Sequence, residues 1–308
     1  MIRRGVAIVE TFAEAFDMRA ARVVITAASA KWARTAAECM TGFATSVIGC
    51  KVEAGIEAEL TSDETPDGRR GVSVLLFAFD AAGLSSRLVD RIGQTVLTCA
   101  TTACFDGLPD ATERTKVGAT LRHFGDRFQA SKVVDGRRYW RIPVMDGEFL
   151  VDDVIGAEKG VAGGNMIVQS VDQAAGLAAV RRATTAIWKS PGVITPFPGG
   201  VARSGSKVGS RYKGLVASTS DPYCPTLRGR VESKLHKEAN CAYEIVIDGT
   251  SEQTVGAAMA AGMRAAAGQG VVAITAGNYG GKLGKFHFHL NKLLGQESGV
   301  GSQESGKA

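Results

Sequence analysis

Ala242-Tyr243-Glu244-Ile245-Val246-Ile247-Asp248-Gly249 is the stretch on which the reading of this chain turns. Its β-branched content and strict alternation predict a strand, with Tyr243, Ile245 and Ile247 on one face and Glu244, Val246 and Asp248 on the other. Glu244 therefore shares a face with Val246 in an otherwise apolar segment. Removing a carboxylate from water penalises its charged form, so an unpaired glutamate there has a raised pKa and can protonate a leaving group near neutral pH. The plainer alternative is a surface strand, with Glu244 solvated or paired to one of the 36 Lys and Arg residues.

Working outward, the chain reads as an internal duplication. The first half offers a strand at Arg22–Ala27, a helix at 28–40, extended segments at 44–50 and 72–79, a helix to Ile92 and a strand at Thr95–Cys99, in the order βαββαβ. The second half repeats it: strand 165–171, helix 172–189, strands 193–197 and 242–248, helix 251–267 and strand 271–276, with an extra strand-like piece at 215–219. Gly93-Gln94-Thr95-Val96 and Gly268-Gln269-Gly270-Val271 each stand where the last helix is expected to meet the last strand. The expected fold class is α+β, two ferredoxin-like lobes at residues 1–148 and 149–308. If Asp80 and Asp248 end equivalent strands, Leu76 corresponds to Glu244, which places the chemistry in the second lobe.

At 308 residues, 45% hydrophobic and 22% charged, the chain can build two real cores. The N-terminal MIRRGVAIVETFAEAF meets Glu10 and Glu14 too early for a signal-peptide core, and no run approaches the roughly 20 apolar residues that cross a bilayer, so a cytoplasmic protein without membrane contact is expected. Six cysteines show no CxxC pair and are expected as reduced thiols; Cys99 and Cys104 lack the further CxxC of a plant-type iron–sulfur cluster. His287 and His289 share a strand face without a third ligand nearby, so no metal site is expected. A net charge of +5, with scattered basic residues and few aromatics beside them, does not prompt a nucleic-acid role. The final GQESGVGSQESGKA reads as a frayed polar tail.

Two glycine-rich segments offer backbone N–H groups to a ligand. Residues 195–214, TPFPGGVARSGSKVGSRYKG, contain Phe197, Pro198, Gly199, Arg203, Ser206 and Lys207 as candidate substrate-binding positions. The segment imitates a phosphate-binding loop, but Ser206 stands in the Lys place and Val208 follows Lys207, which excludes that chemistry. Lys159–Asn165, KGVAGGN, is read as a loop leading into the first strand of the second lobe, with Gly163, Gly164 and Asn165 as candidates.

TFAEAF (11–16), TGFATSVI (41–48), EAGIE (53–57), TPDGR (65–69), GQTVLTCATTACFDG (93–107), KGVAGGN (159–165), GVITPFPGGV (192–201), SGSKVG (204–209), CPTL (224–227) and YEIVIDG (243–249) together resemble the formylmethanofuran:tetrahydromethanopterin formyltransferases over nearly the whole chain. The resemblance implies two ferredoxin-like lobes, a homo-oligomer (dimer or tetramer) with active sites near subunit contacts, and catalysis without metal or prosthetic group. Methanofuran-type and tetrahydromethanopterin-type carriers are then the substrates, and the glutamate of YEIVIDG, the family's proposed acid, is Glu244. Ala100 and Cys104 depart from the methanogen pattern, and the basic charge resembles the bacterial methylotroph branch, whose formyltransferase is one subunit of a complex with hydrolase partners. A catalytically silent ligand-binding or scaffold subunit of such a complex is the alternative.

Overall fold

The computed structural model describes residues 2–295; all of the expected polar tail but Gly295 lies outside them. It is a mixed α/β molecule built on one large, mostly antiparallel sheet, with a separate two-stranded ribbon. In the first half, β1 (Phe12–Thr26), α1 (Ala30–Thr41), β2 (Val52–Leu60), β3 (Gly71–Ala78), α2 (Ala81–Arg91) and β4 (Ala103–Asp106) follow one another. These strands pair antiparallel in the spatial order β4-β1-β3-β2. In the second half come β5 (Ile155–Ser170), α3 (Gln173–Ile187), β6 (Val193–Ile194), β7 (Cys241–Gly249), α4 (Glu252–Ala266) and β8 (Val271–Thr275), ordered β8-β5-β7-β6. β1 and β5 also pair with each other over Phe16–Ala21 and Ala157–Ala162, which fuses the two halves.

Local chemistry fixes the helix starts. Ser29, Asp80 and Asp172 each accept an N–H of the first turn, and Ser251 with Thr254 closes a capping box, so all four helices begin at a Ser or Asp whose oxygen replaces a missing backbone partner. The helices cover one sheet face, making one core around Val23, Leu76 and Leu88 and another around Met166, Ile245, Ile247 and Met263. The opposite face brings Met18, Phe77, Ala162 and Ile194 together across the halves.

Several expectations are corrected. Thr95–Cys99 is not a strand: α2 runs on into a wide turn at Ile92–Val96, where Leu97 N–H reaches Ile92 O at 2.9 Å and Ile92 and Val96 face the core. The last strand of that half starts only at Ala103, so the Gly93 and Gly268 echoes do not occupy equivalent places. Of 44–50 only Thr45–Ser46 is extended, and a helical turn follows at Val47–Cys50. The strand is Val52–Leu60, masked in the sequence by Glu53, Glu57 and Glu59. The piece expected at 215–219 shrinks to Ala217–Ser218, pairing with Lys207–Val208 off the main sheet. Asp80 caps α2 whereas Ser251 caps α4, so the residue four before each cap pairs Leu76 with Ile247, and both face helices; Glu244 points the other way. Finally, KGVAGGN is not a loop before a strand but the middle of β5. There a bulge between Val161 and Gly164 breaks the register to β7, Gly163 takes φ +92°, and Gly164 lies so close to Val255 and Met259 that no Cβ fits.

Candidate active site

A cleft of about 590 Å³ opens on the face of β5 and β7 turned away from the helices, and Glu244 is in its wall. The alternation read from the sequence decides this: Ile245 and Ile247 enter the core of the second half, while Glu244 and Val246 line the cleft. Glu244 is 5% exposed. Its own backbone recruits the neighbouring loop, because Ala202 N–H donates to Glu244 O at 2.8 Å and Glu244 N–H returns to Ala202 O at 3.2 Å. That two-way bridge brings Ser206 Oγ to 2.7 Å from Glu244 Oε1, whereas Oε2 is buried without a hydrogen-bond partner. Burial pushes the Glu244 carboxyl above the ordinary range, opposed by the Ser206 hydroxyl and N–H. A carboxylic acid with one engaged and one free oxygen, facing a ligand-sized cavity, can hand over a proton and take it back.

Two tyrosines frame it. Tyr279 donates its hydroxyl to Ser206 O at 3.1 Å, and Tyr223 hydrogen-bonds Thr275; burial raises both phenols, and the Glu244 charge adds to it. Asn165, 5% exposed on the strand beside Glu244, gives its whole amide to the backbone: Oδ1 accepts Gly277 N–H at 2.6 Å, and Nδ2 donates to Gly277 O at 3.0 Å and Gly163 O at 3.2 Å. Gly277 opens the loop carrying Asn278, Tyr279 and Leu283 along the cleft. That loop is wound around Glu14, whose Oε2 accepts the N–H groups of Tyr279 and Gly281 and whose Oε1 accepts those of Leu283 and Gly284. Burial alone would raise the Glu14 carboxyl, yet these four donors hold it below its usual value.

Of the candidate positions, Glu244, Gly163, Asn165, Phe197, Ser206 and Lys207 line the cleft. Lys207 Nζ is already paired with Asp221 at 2.5 Å, and that pairing lowers the Asp221 carboxyl. Gly164 faces α4 instead, while Pro198, Gly199 and Arg203 are exposed outside the lining. The sequence reading missed Glu14, Glu53, Tyr223 and Tyr279. Glu14 carries the same signature as Glu244, an acid between Ala13 and Ala15 in a strand, but it lies upstream of where that strand was expected to begin. Among the described residues no three His, Cys, Asp or Glu side chains converge as metal ligands, and no helix is long and apolar enough to cross a membrane.

Residues 1–144 match the family described as formylmethanofuran-tetrahydromethanopterin formyltransferase, and residues 147–293 match its proximal lobe. The chain belongs to this formyltransferase family. It is accordingly an acyltransferase for one-carbon formyl groups. The formylmethanofuran–tetrahydromethanopterin formyltransferase of Methylobacillus flagellatus is 54% identical to it over 302 residues, 96% of this chain and all of that one. A subunit of the formyltransferase/hydrolase complex of Methylorubrum extorquens is 51% identical over 300 residues, 94% of this chain and 96% of that one. Among solved structures, the Methylorubrum extorquens complex with methylofuran matches with a TM-score of 0.92 at 50% identity, covering 96% of this chain and 98% of the other. The Methanosarcina barkeri formyltransferase matches with a TM-score of 0.90 at 46% identity, covering 95% and 100%.

Proposed function

We propose that the cleft transfers a formyl group between a methanofuran-type amine carrier and a tetrahydromethanopterin-type carrier, with Glu244 as the acid. The observation that carries the assignment of the acid is the buried Glu244 carboxyl in the cleft wall, with one oxygen held by Ser206 and the other buried without a partner. The secondary amine of the reduced pterin attacks the formyl carbon of the N-formyl furfurylamine. The C=O bond opens to an oxyanion, and the C–N bond to the furfurylamine then breaks. The leaving nitrogen needs a proton as the attacking nitrogen sheds one, so Glu244 donates the first and recovers the second, leaving no net proton change. Holding both carriers in one cleft supplies much of the acceleration. Gly163, Phe197, Ser206 and Lys207 contact the carriers in this reading.

The chain is read as two ferredoxin-like lobes, 1–148 and 149–308; the repeated strand orders and helix placements support it, as do the two family matches meeting near residue 145. We further propose a cytoplasmic homo-oligomer that joins a larger formyltransferase/hydrolase assembly. The relative that is part of such a complex supports the second part. Exposed Phe124, Phe128, Val133 and Met145 around the outer strand Ala130–Val134 support the first.

Purified protein mixed with N-formyl furan carrier and tetrahydromethanopterin, followed by the formyl-pterin absorbance, tests the reading. Glu244→Gln keeps size and polarity, and the expected loss in kcat is about 10²- to 10⁴-fold with KM little changed. An unchanged rate reassigns the acid. Transfer by neither protein, alone or with hydrolase subunits, would favour the scaffold instead.

A further inference from the structure

We propose that Glu53 and Asp248 form a positioning pair for formyl transfer: a carboxylic acid and a carboxylate sharing one proton, which hold the bulged wall of the cleft in register. The proposal deepens the formyl-transfer reading and rests on it for its kinetic test. Glu53, on β2 of the first half, lines the cleft at 7% exposure; Asp248, on β7 of the second, is fully buried. Glu53 Oε1 accepts Val47 N–H at 3.1 Å and Asp248 Oδ1 accepts Gly163 N–H at 2.9 Å. The remaining Oε2 and Oδ2 are buried with no N–H or hydroxyl donor, and the two carboxyls hydrogen-bond each other.

That bond requires a proton. Two ionised carboxylates in this position would repel, and one proton between them turns the repulsion into a charge-assisted hydrogen bond. Among the described residues no ion pair to a cation substitutes for it: across the ladders Glu53 lies opposite Thr45 and Phe77, and Asp248 lies opposite Ile194, none of which titrates. The charge set against Asp248 is that of Glu53, and burial followed by this charge raises the Asp248 carboxyl far above its usual range. Glu57, further along the same strand, shows the contrast. It also fastens the halves, accepting Gly192 N–H at 2.9 Å, but Arg22 and Ser73 satisfy its charge and hold it ionised.

The pair acts on the site through the backbone. Asp248 holds the N–H of Gly163, and Gly163 O accepts Asn165 Nδ2 at 3.2 Å. Asn165 in turn clasps Gly277, at the start of the loop that carries Tyr279 beside Ser206. Losing the shared proton sets two charges against each other at the root of this chain, so the wall loosens as pH rises.

The test uses full-length protein, with its partner subunits if transfer requires them. In the Glu244→Gln background, infrared difference spectra are expected to show a protonated carboxyl at neutral pH that persists with Glu53→Gln, because Asp248 stays buried, and disappears when Asp248→Asn is added as well. With Glu244 intact, Glu53→Ala is expected to lower kcat/KM roughly 10- to 100-fold by misplacing the wall. Glu53→Gln is expected to recover most of that loss at neutral pH and to remove the part of the alkaline decline that belongs to the pair. No carboxyl band lost with Glu53→Gln and Asp248→Asn together, or Ala and Gln variants at position 53 with the same kcat/KM and pH profile, overturns the proposal. If Glu53→Ala does not fold, the infrared comparison and the pH profile of Glu53→Gln still decide. Failure of transfer in the wild type with its partners would sink the formyl-transfer reading while leaving the infrared result standing.

Discussion

Burial and Ser206 set the Glu244 carboxyl between them: burial favours the acid, while the hydroxyl at 2.7 Å and a Ser206 N–H favour the carboxylate. Ser206→Ala removes the hydroxyl and leaves burial unopposed on that side, so the Glu244 carboxyl rises further. The expected result is an alkaline limb of kcat displaced to higher pH, read from the pH–rate profile; an unmoved limb would detach Ser206 from the acid. Stability follows the same sign. A raised carboxyl binds its proton more tightly folded than unfolded, so its contribution is complete below the ordinary value of 4.5 and is lost as pH rises through the folded value. Glu244→Gln is therefore expected to be more stable than the wild type at alkaline pH and to differ little in acid, as urea midpoints across pH would show. The face that Glu244 occupies was legible because alternation needs only neighbours in sequence. Ser206 entered as a loop candidate, but the Ala202 bridge that aims it at Glu244 is a long-range pairing that no local pattern encodes.

Among elements, the loop from Gly277 to Gly284 has little regular structure; Asn165 clasps its start, and Glu14 holds the rest through four N–H donors. A lowered carboxyl gives stability that is present above 4.5 and lost as pH falls through the folded value. Glu14→Gln offers one acceptor oxygen in place of two and no charge, leaving buried donors unpaired. The expected cost is about 1–3 kcal/mol. Faster amide exchange at Tyr279, Gly281, Leu283 and Gly284 would show that the loss is local; unchanged exchange there would refute the anchoring role. The helices were legible to within a few residues because their caps and apolar faces are local chemistry. β2 was not: Glu53 and Glu57 break its apolar pattern, and part of what encloses them, Asp248 and the N–H of Gly192, comes from the other half of the molecule. The wide turn after α2 was also illegible, since Thr95-Val96 carries β-forming residues that packing against the first core turns helical.

At the scale of the whole molecule, the halves are joined by β1 against β5, by the Met18–Ile194 cluster and by Glu57, which links Arg22 of one half to Gly192 of the other. Arg22→Met keeps the apolar stem but strands the Glu57 charge, and removing one partner of a buried pair typically costs about 3–5 kcal/mol. A thermal midpoint lowered by several degrees, partly restored by adding Glu57→Gln, is the expected outcome; no change would show the pair to be dispensable. The alternation of strands and helices was visible beforehand because it rests on short-range periodicity, although two strands of the first half lie elsewhere than expected. So was the family, carried by ten short blocks of sequence, and so was Glu244, an acid on one face of an apolar strand. What the tertiary structure alone decided is which oxygens and backbone groups meet: Glu14 with its loop, Asn165 with Gly277, and Glu53 with Asp248. Local periodicity tells each residue which face it occupies, but burial and hydrogen-bond partners belong to elements that approach from far along the chain, and only folding brings those together.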